Sequence, residues 1–287
     1  MKHHFADLLD REGDYWTIVP NVKRFAFALE NIKERDEEIR IVTIGKYDEY
    51  WDRVFKMSKL EELTLHEPSK SQIEGIEDLK QLKRLRISHA RPRNIEFIAK
   101  LSNLEEVVFE YVSGFSDLSP FNKLDKLKSL HLENLRGVCD YDGLRGSNAL
   151  KYLNIDGTLD WNQPIKDFNF LEEVPNLEIF RLGWIENKSE YPRLKSLIKL
   201  KYLKKIGIIR DVFPTEEFAF IETALPNIEG ATWDLCWENN GWFEFLGKRA
   251  GKVKSNSPHA KERCQEFIER YNKMKDEAER QIKKYGG

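Results

Sequence analysis

The chain has 287 residues, with 47 Lys and Arg against 49 Asp and Glu, for a net charge of −2. Near-neutrality removes the whole-molecule attraction expected of a nucleic-acid or anionic-membrane binder, and no run approaches the ~18 apolar residues of a membrane span. Cys139, Cys236 and Cys264 are far apart and lack a His at ligand spacing, which argues against a disulfide framework or a zinc site.

The opening stretch, MKHHFADLLDREGDYW, contains no apolar core of signal-peptide length, so a cytoplasmic protein is expected. VPNVKRFAF (19–27) matches VPNLEIFRL (174–182) in pattern and predicts a degenerate strand. EIRIVTIG (38–45) predicts another, with Ile39, Val42 and Ile44 turned inward. Residues 1–56 therefore read as an N-terminal cap.

From residue 57 to 235 a single phrase recurs: LEELTL from Leu60, LKRLRI from Leu82, LEEVVF from Leu104, LKSLHL from Leu127, LKYLNI from Leu150, LEIFRL from Leu177, LKKIGI from Leu203 and IEGATW from Ile228. The starts lie 22, 22, 23, 23, 27, 26 and 25 residues apart. A period in this range marks a solenoid. Each phrase predicts a short strand whose residues 1, 4 and 6 point inward, while 3, 5 and 7 face the other way. Parallel strands need a crossover of about a dozen residues. Helices are expected there, over 87–103, 191–202 and 214–226, the last with Thr215 as N-cap.

Apolar residues also recur three apart ahead of the strands, as in Ile73, Ile76, Leu79, Leu82, Leu85 and Ile87. With this spacing the chain resembles the leucine-rich-repeat family, in its short bacterial and phosphatase-regulator subtype. The resemblance implies an α/β fold: a right-handed solenoid with a curved parallel sheet on its concave face, helices or turns on its convex face, and a cap at each end. One family feature is missing. The turn position that usually carries Asn holds Pro68, Ala90, Val112, Leu135, Thr158, Ile185, Asp211 and Cys236, so the turn must be closed differently.

Residues 236–287 read as a C-terminal cap. WDLCWENNGWFEFLG (233–247) concentrates aromatic residues, and a basic segment with Lys248, Arg249, Lys252 and Lys254 follows. Ser257 and Pro258 then open a helix running to about residue 284. Its apolar stripe comprises Ala260, Cys264, Phe267, Ile268, Tyr271, Met274 and Ala278. Glu266–Arg270, Glu269–Lys273 and Asp276–Arg280 are expected to pair at i,i+4 on the wet face.

No P-loop, dinucleotide fingerprint, nucleophile elbow or H-E-x-x-H motif is present, and the six His show no nucleophile or metal spacing. A non-catalytic protein is expected, with no cofactor and no resident metal. The outward columns are the candidate surface. Glu62, Arg84 and Glu106 alternate in sign at position 3. Glu110, Glu133 and Asp156 follow one another at position 7, where like charges on adjacent strands repel. Arg86 and His131, a basic partner surface, or a divalent cation could neutralise them, although no loop supplies a cation's remaining oxygens. Tyr111, Tyr152, Asn154, Arg181 and Trp184 border the stripe; Tyr, Trp and Arg are common interface anchors. These sites are expected to be exposed. The reading is a monomeric scaffold that binds another protein with a basic surface, as an inhibitor or an immunity protein against a toxin would. A regulatory subunit or adaptor is an alternative; another is a nucleic-acid- or phosphate-contacting module using the basic 248–254 segment.

Overall fold

The computed structural model describes residues 27–285, together with the backbone of two short strands, β1 (Arg11–Glu12) and β2 (Tyr15–Trp16), which pair antiparallel. The strand expected over 19–27 lies outside the described residues, save for its last residue. Just beyond it, Ala28 makes a parallel bridge to Thr43.

The repeated phrase builds the sheet that was expected of it. β3 (Ile41–Gly45), β4 (Glu62–His66), β5 (Arg84–Ala90), β6 (Glu106–Val112), β7 (Ser129–Glu133), β8 (Tyr152–Asp156), β10 (Ile179–Leu182) and β12 (Lys205–Ile208) form one eight-stranded sheet. Its strands run parallel and in repeat order. Equivalent residues sit opposite one another, as in Leu63, Leu85, Val107, Leu130 and Leu153. These are 0–1% exposed. At about 1.5–3 kcal/mol for each fully buried Leu, Ile or Val, this ladder is the main stabilising term.

One expected strand forms at the N-terminal edge and another does not form at the C-terminal end. EIRIVTIG supplies the first as β3. The phrase at Ile228 contributes only a bridge, Glu229 to Lys205. That register is one residue short of the expected Lys205–Gly230 pairing, and Gly230 turns away at φ 81.

The crossovers are tighter than expected. Five-residue 3-10 helices, such as Glu96–Lys100, Ser119–Lys123 and Lys195–Lys199, take the place of α-helices. Repeats of 22–23 residues leave too little chain for a longer helix. One short helix, α1 (Lys70–Gly75), appears there, with Ser69 and Gln72 forming a capping box. The stretched repeats spend their extra residues on a second two-stranded parallel ladder, β9 (Gln163–Ile165) with β11 (Ile185–Asn187).

The missing Asn is replaced by side-chain amides elsewhere, the buried Gln72 and Gln163 and the half-buried Asn187. Gln72 Nε2 donates to Gly45 O at 2.7 Å, Gln163 Nε2 to Val138 O at 2.8 Å and Asn187 Nδ2 to Ile165 O at 2.8 Å. Each ties one repeat to its predecessor. A second tie runs along position 2, where charges alternate. Glu61 meets Arg40 and Lys83 at 2.7 and 3.0 Å, and Glu178 meets Lys151 and Lys204 at 3.1 and 2.5 Å. Burial pushes both carboxyls up, but the hydrogen bonds from these cations outweigh it, and both lie below the ordinary value.

The helix expected over 214–226 forms as α2 (Thr215–Ala224), but its N-cap is Pro214; Thr215 instead donates its hydroxyl to Leu246 O at 2.8 Å. A hairpin follows, β13 (Cys236–Asn239) and β14 (Trp242–Phe245), turned by Asn240 and Gly241, both at positive φ. β15 (Lys252–Lys254) adds to it. The final helix, α3 (Ala260–Tyr285), buries Ala260, Phe267, Tyr271 and Ala278. Phe267 stacks on Phe245 at 4.7 Å, and Tyr271 donates to Glu222 at 2.7 Å. On its wet face the ion pairs are Arg263–Glu266 and Glu277–Arg280 at i,i+3, not the expected i,i+4 set.

Candidate functional site

The expected columns hold from β4 to β12, so the candidate residues do come together. Their exposure does not match the expectation. Arg86, Glu110, His131, Tyr152 and Asn154 are 0–6% exposed. Glu133, Asp156, Arg181 and Trp184 are half-buried, and Tyr111 is 42% exposed. Side-chain tips converge inside a concave sheet, so large residues on neighbouring strands shield one another. At position 3, Arg84 bridges Glu62 and Glu106 at 3.8 and 3.9 Å, as the alternating signs suggested.

Each position-7 carboxylate finds a counterpart within the chain. Arg86 forks onto Glu110, with Nε to Oε2 at 2.9 Å and Nη2 to Oε1 and Oε2 at 2.8 and 2.6 Å. His131 Nε2 lies 3.3 Å from Glu133 Oε2. Asp156 turns toward backbone, where Trp184 N–H donates to it at 2.6 Å. Gly183 permits this approach, since a Cβ there would lie 1.8 Å from the Asp156 carboxyl. Burial, with Glu133 nearby, still lifts Asp156 above the ordinary carboxylate value. Glu110, His131 and Glu133 bring one potential ligand atom each within 4.8 Å of one another. Both Glu110 oxygens already accept from Arg86, so the trio does not offer three uncommitted ligands.

Position 8 is the feature that sequence reasoning missed. Glu67 and Asn134 follow β4 and β7, His89 and Tyr111 are the next-to-last residues of β5 and β6, and all four adopt left-handed backbone, φ 49 to 55. This conformation costs a non-glycine residue about 1–2 kcal/mol. It closes the turn: Glu67 N–H donates to Ser88 O, and Asn134 N–H to Asp156 O, both at 2.9 Å. It also stands Glu67, His89 and Tyr111 out along the rim, while Asn134 stays buried. His66 meets His89 edge-on at 5.5 Å, and His89 stacks on Tyr111 at 4.7 Å. Burial raises the Tyr111 hydroxyl above its ordinary value, helped by Glu133, Glu110 and Asp160. Beside it, the loop bridged by Thr158 and Trp161 carries Asp160 and Leu159, the latter 81% exposed. The even spacing of Glu67, His89, Tyr111 and Asn134 was the available signal.

The basic segment is a strand rather than a loop. Lys252 and Lys254 lie over the Trp242 ring at 4.8 and 5.7 Å, while Lys248 and Arg249 are exposed at the turn before them. Among the described residues, no helix is long and apolar enough to cross a membrane.

No family model and no curated protein matches the chain. Solved structures do. An internalin from Listeria monocytogenes is 18% identical with a TM-score of 0.48, covering 69% of this chain and 60% of its own. Internalin C2 from the same organism is 19% identical with a TM-score of 0.48, covering 68% of this chain and 79% of its own. A leucine-rich-repeat protein of Leptospira interrogans is 14% identical with a TM-score of 0.44, covering 67% and 54%. The match thus spans less than two thirds of the first internalin's length. With one strand per repeat, held parallel and in register, the fold of this chain is a leucine-rich-repeat solenoid.

Proposed function

We propose that this protein is a non-catalytic, monomeric recognition scaffold that binds a partner with a basic surface along the rim at the C-terminal ends of β5 to β8. The observation that carries the reading is Tyr111. It is 42% exposed, held in left-handed backbone and stacked on His89. Glu133, Glu110 and Asp160 lie close enough to raise its hydroxyl, and Asp156 lies beside Glu133. An exposed aromatic ring amid carboxylates suits a Lys or Arg side chain, which gains a cation–π contact and a charge-assisted hydrogen bond together. Leu159 adds an apolar contact at the edge. A scaffold of this kind acts by covering a surface, as an inhibitor or an immunity protein covering a basic toxin does.

The test is capture of the partner from the native host, followed by affinity measurements on the wild type and on Tyr111→Ala with Glu133→Lys. A loss of about 10- to 100-fold is expected for anchor residues. Unchanged affinity, or a partner whose contact face is acidic, refutes the proposal.

A further inference from the structure

Three arginines stand apart from the charge ladders. Arg91, Arg93 and Arg136 are exposed. None has an ion pair or a side-chain hydrogen bond among the described residues; Arg136 only rests against the Trp161 ring, at 5.7 Å. Arg91, Ser113 and Arg136 occupy the tenth position of three successive repeats. Strands lie ~4.8 Å apart, so the two arginines start about 10 Å apart with the short Ser113 between them.

Together with Arg93 they line a cleft of about 780 Å³. Its floor is bare backbone. Gly114, at φ +96, packs so closely that a Cβ would lie 2.5 Å from Pro92 O; Gly137, at φ +104, would place one 3.0 Å from Phe115 O. The two acidic groups on its walls are engaged elsewhere. Glu96 pairs with Lys123 at 3.6 Å, and Asp117 accepts from the Ser119 amide and hydroxyl, both at 2.8 Å.

We infer that this cleft is a binding site for a phosphoryl group, as free phosphate or as a small phosphomonoester. A guanidinium presents paired N–H donors that match two phosphate oxygens. Several unneutralised guanidiniums around one gap suit a dianion with three terminal oxygens better than a single carboxylate. The inference does not depend on the rim binding a partner.

The test is isothermal titration calorimetry on the full chain at low salt, with inorganic phosphate and phosphoserine as probes and with acetate and chloride at matched ionic strength. Saturable phosphate binding is expected with a Kd on the order of 1 mM, in keeping with so small a ligand. Arg91→Gln with Arg136→Gln should weaken it at least about tenfold, the loss expected when charge-assisted bonds are removed. Both positions are exposed, and circular dichroism verifies that the fold is kept. Lys248→Gln with Arg249→Gln, basic residues on the C-terminal cap, should leave binding unchanged. Tighter binding of phosphoserine than of phosphate supports an ester ligand, and the reverse supports free phosphate. No saturable binding, equal binding of acetate, or undiminished binding by the arginine variant overturns the inference.

Discussion

Arg86→Met keeps much of the arginine's stem and removes its guanidinium. In the native chain this group makes three contacts of 2.6–2.9 Å with Glu110. The two side chains are 2% and 6% exposed. That exposure decides the scale. A solvent-exposed pair is worth ~0.2–1 kcal/mol, whereas removing one partner of a buried pair costs about 3–5 kcal/mol, because the other charge is stranded. The larger figure applies, since Glu110 would be left without its cation beside Glu133. With ~2.1 cal/mol/K of unfolding entropy per residue over 287 residues, Tm should fall by about 5–8 °C. Arg86→Met combined with Glu110→Leu removes both charges and should lie within about 1–2 kcal/mol of the wild type. Urea titration followed by circular dichroism, with calorimetry for Tm, measures both. A loss below about 1 kcal/mol in the single variant, or a double variant as unstable as the single, refutes the reasoning.

Two further predictions concern groups that hold the stack together. Gln163→Leu strips the acceptor from Leu135 N–H, now at 2.8 Å, and the donor from Val138 O. Each orphaned buried group costs about 1–3 kcal/mol, for ~2–5 kcal/mol in all. Hydrogen exchange at the Leu135 amide should speed up, and an unchanged rate counts against the amide tie. Glu217 is buried, and burial lifts its carboxyl above the ordinary value near 4.5, against the Leu194 and Arg193 amides and the Arg193 guanidinium that favour the charged form. A raised carboxyl contributes stability that is fully present below pH 4.5 and lost as pH rises through its folded-state value. Relative to Glu217→Gln, the wild type should therefore lose stability between pH 4.5 and neutrality, by at most about 1.4 kcal/mol per pH unit. Parallel urea curves at all pH values contradict this assignment.

The strands were legible because Leu63, Leu85, Val107 and their equivalents must all be inward, and a one-residue slip would expose every one of them. The crossovers were not. Ile95, Ile98 and Leu101 satisfy helical spacing, but a 3-10 turn satisfies it too and fits a shorter connection. Alternation states which face Arg86 and His131 occupy, yet carries no information on how closely neighbours pack over that face. Burial at positions 3, 5 and 7 was therefore out of reach. The turn hairpin was within reach, since Asn240-Gly241 between aromatic runs is a strong local signal that composition alone obscured. The left-handed backbone had only a weak residue signature: His89 and Asn134 are types enriched in it, whereas Glu67 and Tyr111 are not.

A net charge of −2 conceals how the charge is arranged. At position 2, Arg40, Glu61, Lys83, Glu105 and Lys128 alternate in sign, and their ion pairs of 2.7–3.0 Å cancel locally. At position 3, Arg84 offsets part of the charge of Glu62 and Glu106. Both signs meet along one edge of the sheet, at and just past the ends of the strands. Glu133 and Asp156 stand at position 7 of their repeats, Arg91 and Arg136 at position 10, and Asp160 at position 11. The Debye length is ~8 Å at physiological salt, and a strand repeat is ~4.8 Å. The two signs are thus close enough to be felt together. A body approaching this edge meets opposite signs side by side, which fixes its orientation as well as its attraction. The same body approaching the position-2 edge meets charges that are already spent on one another.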